Sequence, residues 1–397
     1  MTSSVPDSRA RVLTFVDYYV PGFKAGGALR SVSNLVEHLQ CEFQFLVVTR
    51  DRDAGDRVPY RSVQVNEWQA VNGASVFYAA GGFSLAYRLT ALLRRTQYDV
   101  LYLNSLLSPQ FTLLVLTLRR LGLLRPTAII IAPRGEASSG ALATKRWKKL
   151  PFLAAAKALS LYRGLTWQAS STIEADEIRR HFAKMADSIV VAPDIAVTST
   201  RLRAKHARRP KQAGSLDVVF LSRITRKKNL MGALRCLAGV RGALKFDIYG
   251  PREDVGYWAE CERALSQLPS NIEARYVGVV DPTEVPRVMS SYHLFFLPTH
   301  SENFGHVIVE AISAGTPVLI SDTTPWQQLS TQHVGWDLPV NDVAAFRAAL
   351  QEMADMNQEE LNAMSDAATR YAAAVLGNDA VDRNRQLFRS RVRPREN

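Results

Sequence analysis

The stretch Leu294–Ser321, LFFLPTHSENFGHVIVEAISAGTPVLIS, decides the fold. It opens on the apolar run Leu294 to Leu297, the length of a fully buried strand. A polar loop follows from Thr299 to Asn303. Apolar residues then return at helical spacing: Val307, Ile308, Ala311, Ile312 and Ala314. Gly315 and Pro317 read as a helix stop, and Val318 to Ile320 as the next strand. Strand, loop, helix and strand in that order make one unit of a parallel α/β sheet.

Two acids give the unit chemistry. Glu302 falls in the loop beyond the carboxyl end of the strand, where open α/β sheets hold their ligands. Glu310 lies on the helix turn shared by Val307, Ala311 and Ala314, so it is either partly buried with a partner or aimed at a ligand. Between them, Asn303, Phe304 and Gly305 form the helix start. Its free N–H groups and positive dipole end suit an anion, and Gly305 lets a ligand come close to the backbone. An ordinary helix with Asn303 as N-cap and Glu310 solvated has the same spacing. The residues alone leave both readings open.

Upstream, Asp217 to Leu221 reads as another strand, followed by the basic loop Ser222 to Lys228. Asn229 can cap a helix running through Leu237. Several positive charges at the end of a strand and beside a helix start suit a diphosphate, although a solvated basic loop is the commoner reason for such a run. Phe246 to Tyr249 and Ala274 to Val277 read as strands ending in Gly250 and Gly278. Phe346 to Leu361 and Ala367 to Arg391 read as helical.

The first half repeats the alternation. Strand candidates are Val12–Val16, Phe43–Val48, Ala74–Tyr78, Val100–Leu103 and Ala128–Ile131. Helical patterns lie near Phe83–Arg95 and Thr112–Leu121. The loop Asp17 to Gly27 lacks the GxGxxG spacing of dinucleotide-binding enzymes. Gly26 and Gly27 before a helix still make an anion platform, or simply a surface loop. Arg134, in the loop after Ile131, could meet a phosphate or form a salt bridge with Glu136 or a nearby acid.

Glu302-Asn303-Phe304-Gly305 with Val309-Glu310-Ala311 resembles the Glu-x7-Glu motif of the family 4 retaining glycosyltransferases, and Arg223 with Lys228 resembles their Arg-x4-Lys pair. The resemblance implies the GT-B fold: two Rossmann-like doubly wound domains facing each other across a cleft. It implies an acceptor-side domain over 1–197, a donor-binding domain over 198–366 and a C-terminal helical segment, 367–397, crossing back to the first domain. Glu302, Asn303, Phe304 and Gly305 would then meet the donor sugar, Glu310 the ribose, and Arg223 and Lys228 the diphosphate. Gly26 and Gly27 would lie near the donor phosphates and acceptor, and the base beside Val277 and Gly278. Arg134 and Glu136 stand where many members have a His, so Arg134 joins Glu302, Arg223 and Lys228 as a candidate catalytic group. The segment Ala169 to Glu174 resembles the Ser…Glu element that ends the family's first domain, and Asp194-Ile195 replaces its usual Asn-Gly. The implied reaction uses a nucleotide-sugar donor and a glycan or lipid-linked acceptor, with no metal or other cofactor. Rivals on the same scaffold are an epimerase, a phosphorylase and a non-catalytic nucleotide-sugar-binding scaffold.

Composition narrows the classes. At 397 residues, 47% hydrophobic and 22% charged, the chain suits two soluble globular domains. Three separated cysteines suggest a reducing compartment, and the histidines form no metal motif. The N-terminus lacks the apolar core of a secretion signal, and Phe111–Leu124 is interrupted by Arg119 and Arg120 and too short to span a bilayer. The expectation is a cytoplasmic protein, peripheral at most on the inner face of the membrane. Of the net charge of +12, most sits in residues 1–200, with 24 Lys and Arg against 15 Asp and Glu. That imbalance suits an anionic membrane surface or a pyrophosphate-linked acceptor. The stretch Thr144–Lys149, TKRWKK, could lie at such an interface or be a solvated helix face. Arg201–Lys211 reads as an exposed domain boundary, and no motif supports nucleic acid as a partner.

Overall fold

The computed structural model describes residues 9–143, 146–196 and 208–392. The chain divides into two compact units, residues 1–195 with 378–397, and residues 196–377.

The first unit is built on strands β1 (Ala10–Phe15), β2 (Phe43–Arg50), β3 (Trp68–Val71), β4 (Ala74–Ala79), β5 (Val100–Leu103), β6 (Ala128–Ile131), β7 (Thr166–Ala169) and β8 (Ser188–Val191). Their order is β3-β4-β2-β1-β5-β6-β7-β8, parallel except for the edge strand β3, which runs against β4. The sequence reading omitted β3, yet its signal is present. Asn72 (φ 45°) and Gly73 (φ 84°) both adopt the left-handed backbone of a two-residue hairpin turn. Helices α1 (Gly27–Leu39), α2 (Leu85–Arg95), α3 (Leu114–Arg120), α4 (Ser139–Ala143), α5 (Arg146–Ala158) and α6 (Thr172–Phe182) connect the strands. The helix read over Thr112–Leu121 begins instead as a wide turn, Pro109–Leu113, because Pro109 starts it and the Ser108 hydroxyl accepts from Phe111 N. The apolar sides of α2, α3, α5 and α6 share one core with the sheet, while α1 packs into a second.

The second unit contains β9 (Ser215–Leu221), α7 (Leu230–Leu237), β10 (Ala243–Tyr249), α8 (Val255–Leu265), β11 (Ile272–Gly278), α9 (Val285–Ser290), β12 (Leu294–Leu297), α10 (His306–Ser313), β13 (Val318–Ser321), β14 (Gly335–Leu338), α11 (Val343–Asp355) and α12 (Gln358–Val375). The sheet is wholly parallel, in the order β11-β10-β9-β12-β13-β14. Strands β9, β12 and β13 are buried almost throughout, as a sheet covered on both faces requires. After β9 the chain moves outward one way to β10, and β12 lies on the other side. The ends of β9 and β12 therefore flank the switch point, where such sheets open a crevice.

Two helical boundaries differ from the sequence reading. The stretch Phe346–Leu361 is broken after Asp355, because Asn357 starts α12 with a reciprocal capping box to Glu360. The stretch Ala367–Arg391 is also two helices. Its first part belongs to α12, which packs on α10 and stays in the second unit through Gly377. Only α13 (Asp379–Arg389) returns to the first unit, where Leu387 and Phe388 are buried among Phe43, Phe45 and Tyr102. The crossing thus falls at residue 378, not at 367. Residues 1–8 and most of the boundary read over Arg201–Lys211 lie outside the described residues.

Candidate functional site

The loops after β9 and β12 come together at the switch point of the second sheet. Residues 226–228 form a short 3-10 turn, and Asn229 (φ 57°) reverses the chain into α7. Its side chain accepts from Gly232 N (3.1 Å) and donates to the Pro298 carbonyl (2.9 Å), so one residue caps the helix and ties the two loops. The Lys227 carbonyl ties them again, accepting from His300 N (2.8 Å) and the Thr299 hydroxyl (3.0 Å). Thr323 braces the far side by donating to the Thr299 carbonyl (2.8 Å). The Asn229 cap agrees with the sequence reading, while the ties to Pro298, Thr299, His300 and Thr323 had no sequence signal, since only the fold brings those loops together.

The tie brings Lys228 to Glu302. Their side chains, 9% and 11% exposed, form an ion pair. Burial, with Lys227 and Arg223 nearby, pushes the Lys228 pKa well below the lysine range. Arg223 is more open and pairs with Glu253 at 2.9 Å. In solvent such a pair contributes little stability and exchanges readily for another anion.

The helix α10 begins at His306, and Gly305, not Asn303, occupies its N-cap. The reason is conformational. Gly305 turns into the helix at φ 78°, and a Cβ there would sit 2.8 Å from Ile308 Cδ1. Phe304 is pinned beneath by Trp326, whose indole donates to the Phe304 carbonyl at 2.5 Å. No side chain caps the helix, and a helix start of this kind suits an anion. Glu310 lies farther along α10 and is buried, not solvated, at 6% exposure.

A glycine also shapes the neighbouring strand end. A Cβ at Gly250 (φ 132°) would overlap the Ser222 carbonyl, so only glycine allows the loop after β10 to close on that after β9. Gly250 N donates to the Gly278 carbonyl at 2.8 Å, which brings the end of β11 alongside, with Val277 45% exposed. Arg223, Lys228, Glu302–Gly305, Glu310 and Val277–Gly278 are thus all carried by this unit.

The first unit holds the remaining candidates. Gly26 (φ 76°) is the N-cap of α1, again without a side-chain cap, and Gly27 opens the helix. Arg134 is buried and pairs with Asp194, not with Glu136. It also donates to Tyr102 Oη (2.6 Å) and Asn104 Oδ1 (2.8 Å). Asp194 accepts from the Ser31 hydroxyl on α1 (2.7 Å), and Tyr102 leads through Gln168 to Asn384 on α13. The guanidinium is therefore engaged inside the unit. Glu136 instead accepts from Leu106 N (2.6 Å), Leu107 N (2.9 Å) and the Ser105 hydroxyl (2.9 Å). Glu174 accepts from Gly135 N (2.6 Å) and Ser170 N (2.7 Å). Burial pushes both carboxyls up, against the donors that hold them down.

Residues 203–371 match the family model described as glycosyl transferases group 1. A phosphatidyl-myo-inositol mannosyltransferase of Mycobacterium leprae is 32% identical over 123 residues, 30% of this chain and 33% of that protein. A D-inositol 3-phosphate glycosyltransferase of Streptomyces coelicolor is 27% identical over 259 residues, 57% of this chain and 56% of the other. The matches thus span between 33% and 56% of these relatives' length. Among solved structures, sucrose-phosphate synthase from Thermosynechococcus elongatus superposes with a TM-score of 0.72 at 16% identity, covering 96% of this chain and 100% of that one. Anabaena HepE in complex with UDP and glucose superposes with a TM-score of 0.66 at 13% identity, over 96% and 99% of the two chains. The two doubly wound sheets make the GT-B fold.

Proposed function

We propose that this chain transfers a sugar from a nucleoside-diphosphate donor to an acceptor hydroxyl with retention at the anomeric carbon, in the manner of the family 4 enzymes. The observation that carries this reading is the buried Lys228–Glu302 pair at the switch point, four residues ahead of a helix start that no side chain caps. It lies within the span that matches the glycosyl transferase model.

The bond from the sugar C1 to the diphosphate oxygen breaks, and the charge left on the diphosphate meets Arg223, Lys228 and the first N–H groups of α10. Glu302, exchanged from Lys228 by the incoming phosphate, accepts from the sugar hydroxyls beside Asn303, Phe304 and Gly305. Glu310 holds the ribose, and the base rests by Val277 and Gly278. The acceptor oxygen bonds to C1, and its proton passes to the leaving diphosphate oxygen. This front-face route uses no enzyme nucleophile. Gly26 and Gly27 serve the donor phosphates and acceptor. Arg134 acts through Asp194 and α1 as a positioning residue, since its donors are already engaged.

The acceptor in this reading is a lipid-linked glycan of envelope or exopolysaccharide assembly, met at the cytoplasmic face of an anionic membrane. The excess of basic residues in the first half and the mannosyltransferase relative support it. Among the described residues, no helix is long and apolar enough to cross a membrane.

The test is thermal melting with UDP, GDP, TDP and CDP, followed by transfer from the matching nucleotide sugar to lipid-linked acceptors, with the product anomer read by NMR. A melting shift with one nucleotide and a retained anomer are expected. No shift with any nucleotide, an inverted product or a trapped glycosyl-enzyme adduct would each overturn the reading.

A further inference from the structure

In the first unit, α2, α3, α5 and α6 cover one face of the sheet. Such helices run against the parallel strands, so their C-termini gather at the amino edge, opposite the edge that bears Gly26 and Arg134. Their last turns are basic: Arg94 and Arg95, Arg119 and Arg120, Lys157, and Arg179 and Arg180. Cations at helix C-termini complement the dipole, and that accounts for any one of them.

The ends of α3 and α5 do more. They flank a cavity of about 310 Å³, open to solvent and lined by Arg119, Arg120, Ser160, Leu161 and Arg163. Arg119 donates to the Arg163 carbonyl at 2.8 Å, and Arg120 to the Leu159 carbonyl at 3.3 Å. These bonds position the cations and neutralise none of their charge. Among the described residues, no carboxylate pairs with Arg119, Arg120 or Arg163. Burial, with Arg120 beside it, lowers the Arg119 pKa, as expected for cations crowded without a counter-ion.

Three leucines close to the lining residues in the chain stand in water: Leu121, Leu123 and Leu159 are 66%, 47% and 59% exposed. Their exposure is built into the helix ends. Gly122 (φ 71°) and Ser160 (φ 52°) each take the left-handed backbone, and each turn is closed by a 3.0 Å bond, Leu123 N to Leu118 O and Leu161 N to Ala156 O. A soluble anion would need the arginines and not the leucines. Cations without a carboxylate partner, flanked in the chain by held-out apolar side chains, match a bilayer interface, where lipid phosphates and the first acyl carbons lie close together.

We propose that this amino edge docks the protein on an anionic phospholipid surface, a lipid phosphate entering the Arg119–Arg120–Arg163 cavity and Leu121, Leu123 and Leu159 entering the acyl margin. The proposal rests on the membrane-borne acceptor read above, whose glycan must then reach from this edge to the opposite one that bears Gly26 and Arg134. It also moves the contact away from Trp147, which is exposed at the other end of α5, about 18 Å along the helix from Leu159.

The test is co-sedimentation of the full chain with phosphatidylcholine vesicles containing or lacking phosphatidylglycerol, with and without millimolar inorganic phosphate. The variants are Arg120→Glu with Arg163→Glu, and Leu121→Ser with Leu123→Ser and Leu159→Ser. Arg235→Glu with Arg370→Glu, on exposed positions of the second unit, is the charge-matched control. Wild type should bind only the anionic vesicles. Both edge variants should bind them at least ~10-fold more weakly, the control within ~2-fold of wild type, and all should keep the melting shift with nucleotide. Edge variants that bind like the control would overturn the site while leaving the membrane reading intact. Wild type that ignores anionic vesicles would overturn the membrane reading itself. Inorganic phosphate that raises the melting temperature of wild type but not of the arginine variant, without any vesicle binding, would make the cavity a soluble-anion site and overturn the docking. Loss of binding in the arginine variant but not in the leucine variant would overturn the insertion of the leucines.

Discussion

Lys228 shows how much one side chain owes to its surroundings. Its ammonium is buried near other cations, and Glu302 is the acid that meets it. Lys228→Met should weaken nucleoside diphosphate binding by roughly 10- to 100-fold in calorimetry, the range for losing a charged hydrogen bond of about 1.5–3 kcal/mol. A diphosphate restores the lysine's charge, so binding takes up a proton once pH exceeds the lowered pKa. Affinity should therefore fall as pH rises from 7.5 to 10 in wild type and stay flat in Lys228→Arg, whose guanidinium does not titrate there. A pH-independent wild-type affinity would mean that the ammonium is already fully charged without ligand. In the free protein the sign is opposite. The folded pKa lies below the ordinary 10.5, so the unfolded chain holds more protons in that window and stability rises with pH through it. Arg223, Lys228, Glu302 and Glu310 could be picked out as candidates in sequence because their spacing is local to two loops and one helix, and the structure brings Lys228 and Glu302 into contact. The partner of Arg134 was not legible, because Asp194 lies 60 residues away and only the sheet brings the two together.

At the scale of elements, the strand–loop–helix–strand reading of Leu294–Ser321 agrees with β12, α10 and β13, since a buried run, a helical period and a glycine stop are all short-range signals. The N-cap at Gly305 departs from the Asn303 reading because the packing of Phe304 on Trp326 sets where the chain must turn, and a cap propensity carries no such information. Gly305→Ala should cost about 1–2 kcal/mol for the left-handed backbone and lower nucleotide affinity as well, through displaced α10 donors. Melting curves with and without nucleotide would separate the two effects. A variant melting like wild type would show that the turn relaxes at no cost. Gly250→Ala should be worse, because its Cβ meets backbone and not the flexible tip of a side chain.

Across the whole molecule, the alternation of strand and helix was enough to read two doubly wound units, and the crossing point was not. Gly377 and Asn378 mark a break after α12, but that α12 stays with the second unit follows from its packing on α10, which no local signal carries. Phe388, fully buried in the first unit, makes a local test. Phe388→Ala should destabilise that unit by about 3–5 kcal/mol and split thermal unfolding into two steps, with nucleotide raising only the second. A single transition that nucleotide shifts as a whole would show that the units melt together. The same residue bears on how the chain is made. A ribosome delivers the strands of the first unit early, but the side chain that fills the gap between Phe43, Phe45 and Tyr102 arrives only at position 388. The second unit can finish folding while the first still waits with an open groove, so the order of completion reverses the order of synthesis. During that wait, a chaperone able to cover the groove would spare the nascent chain from aggregation.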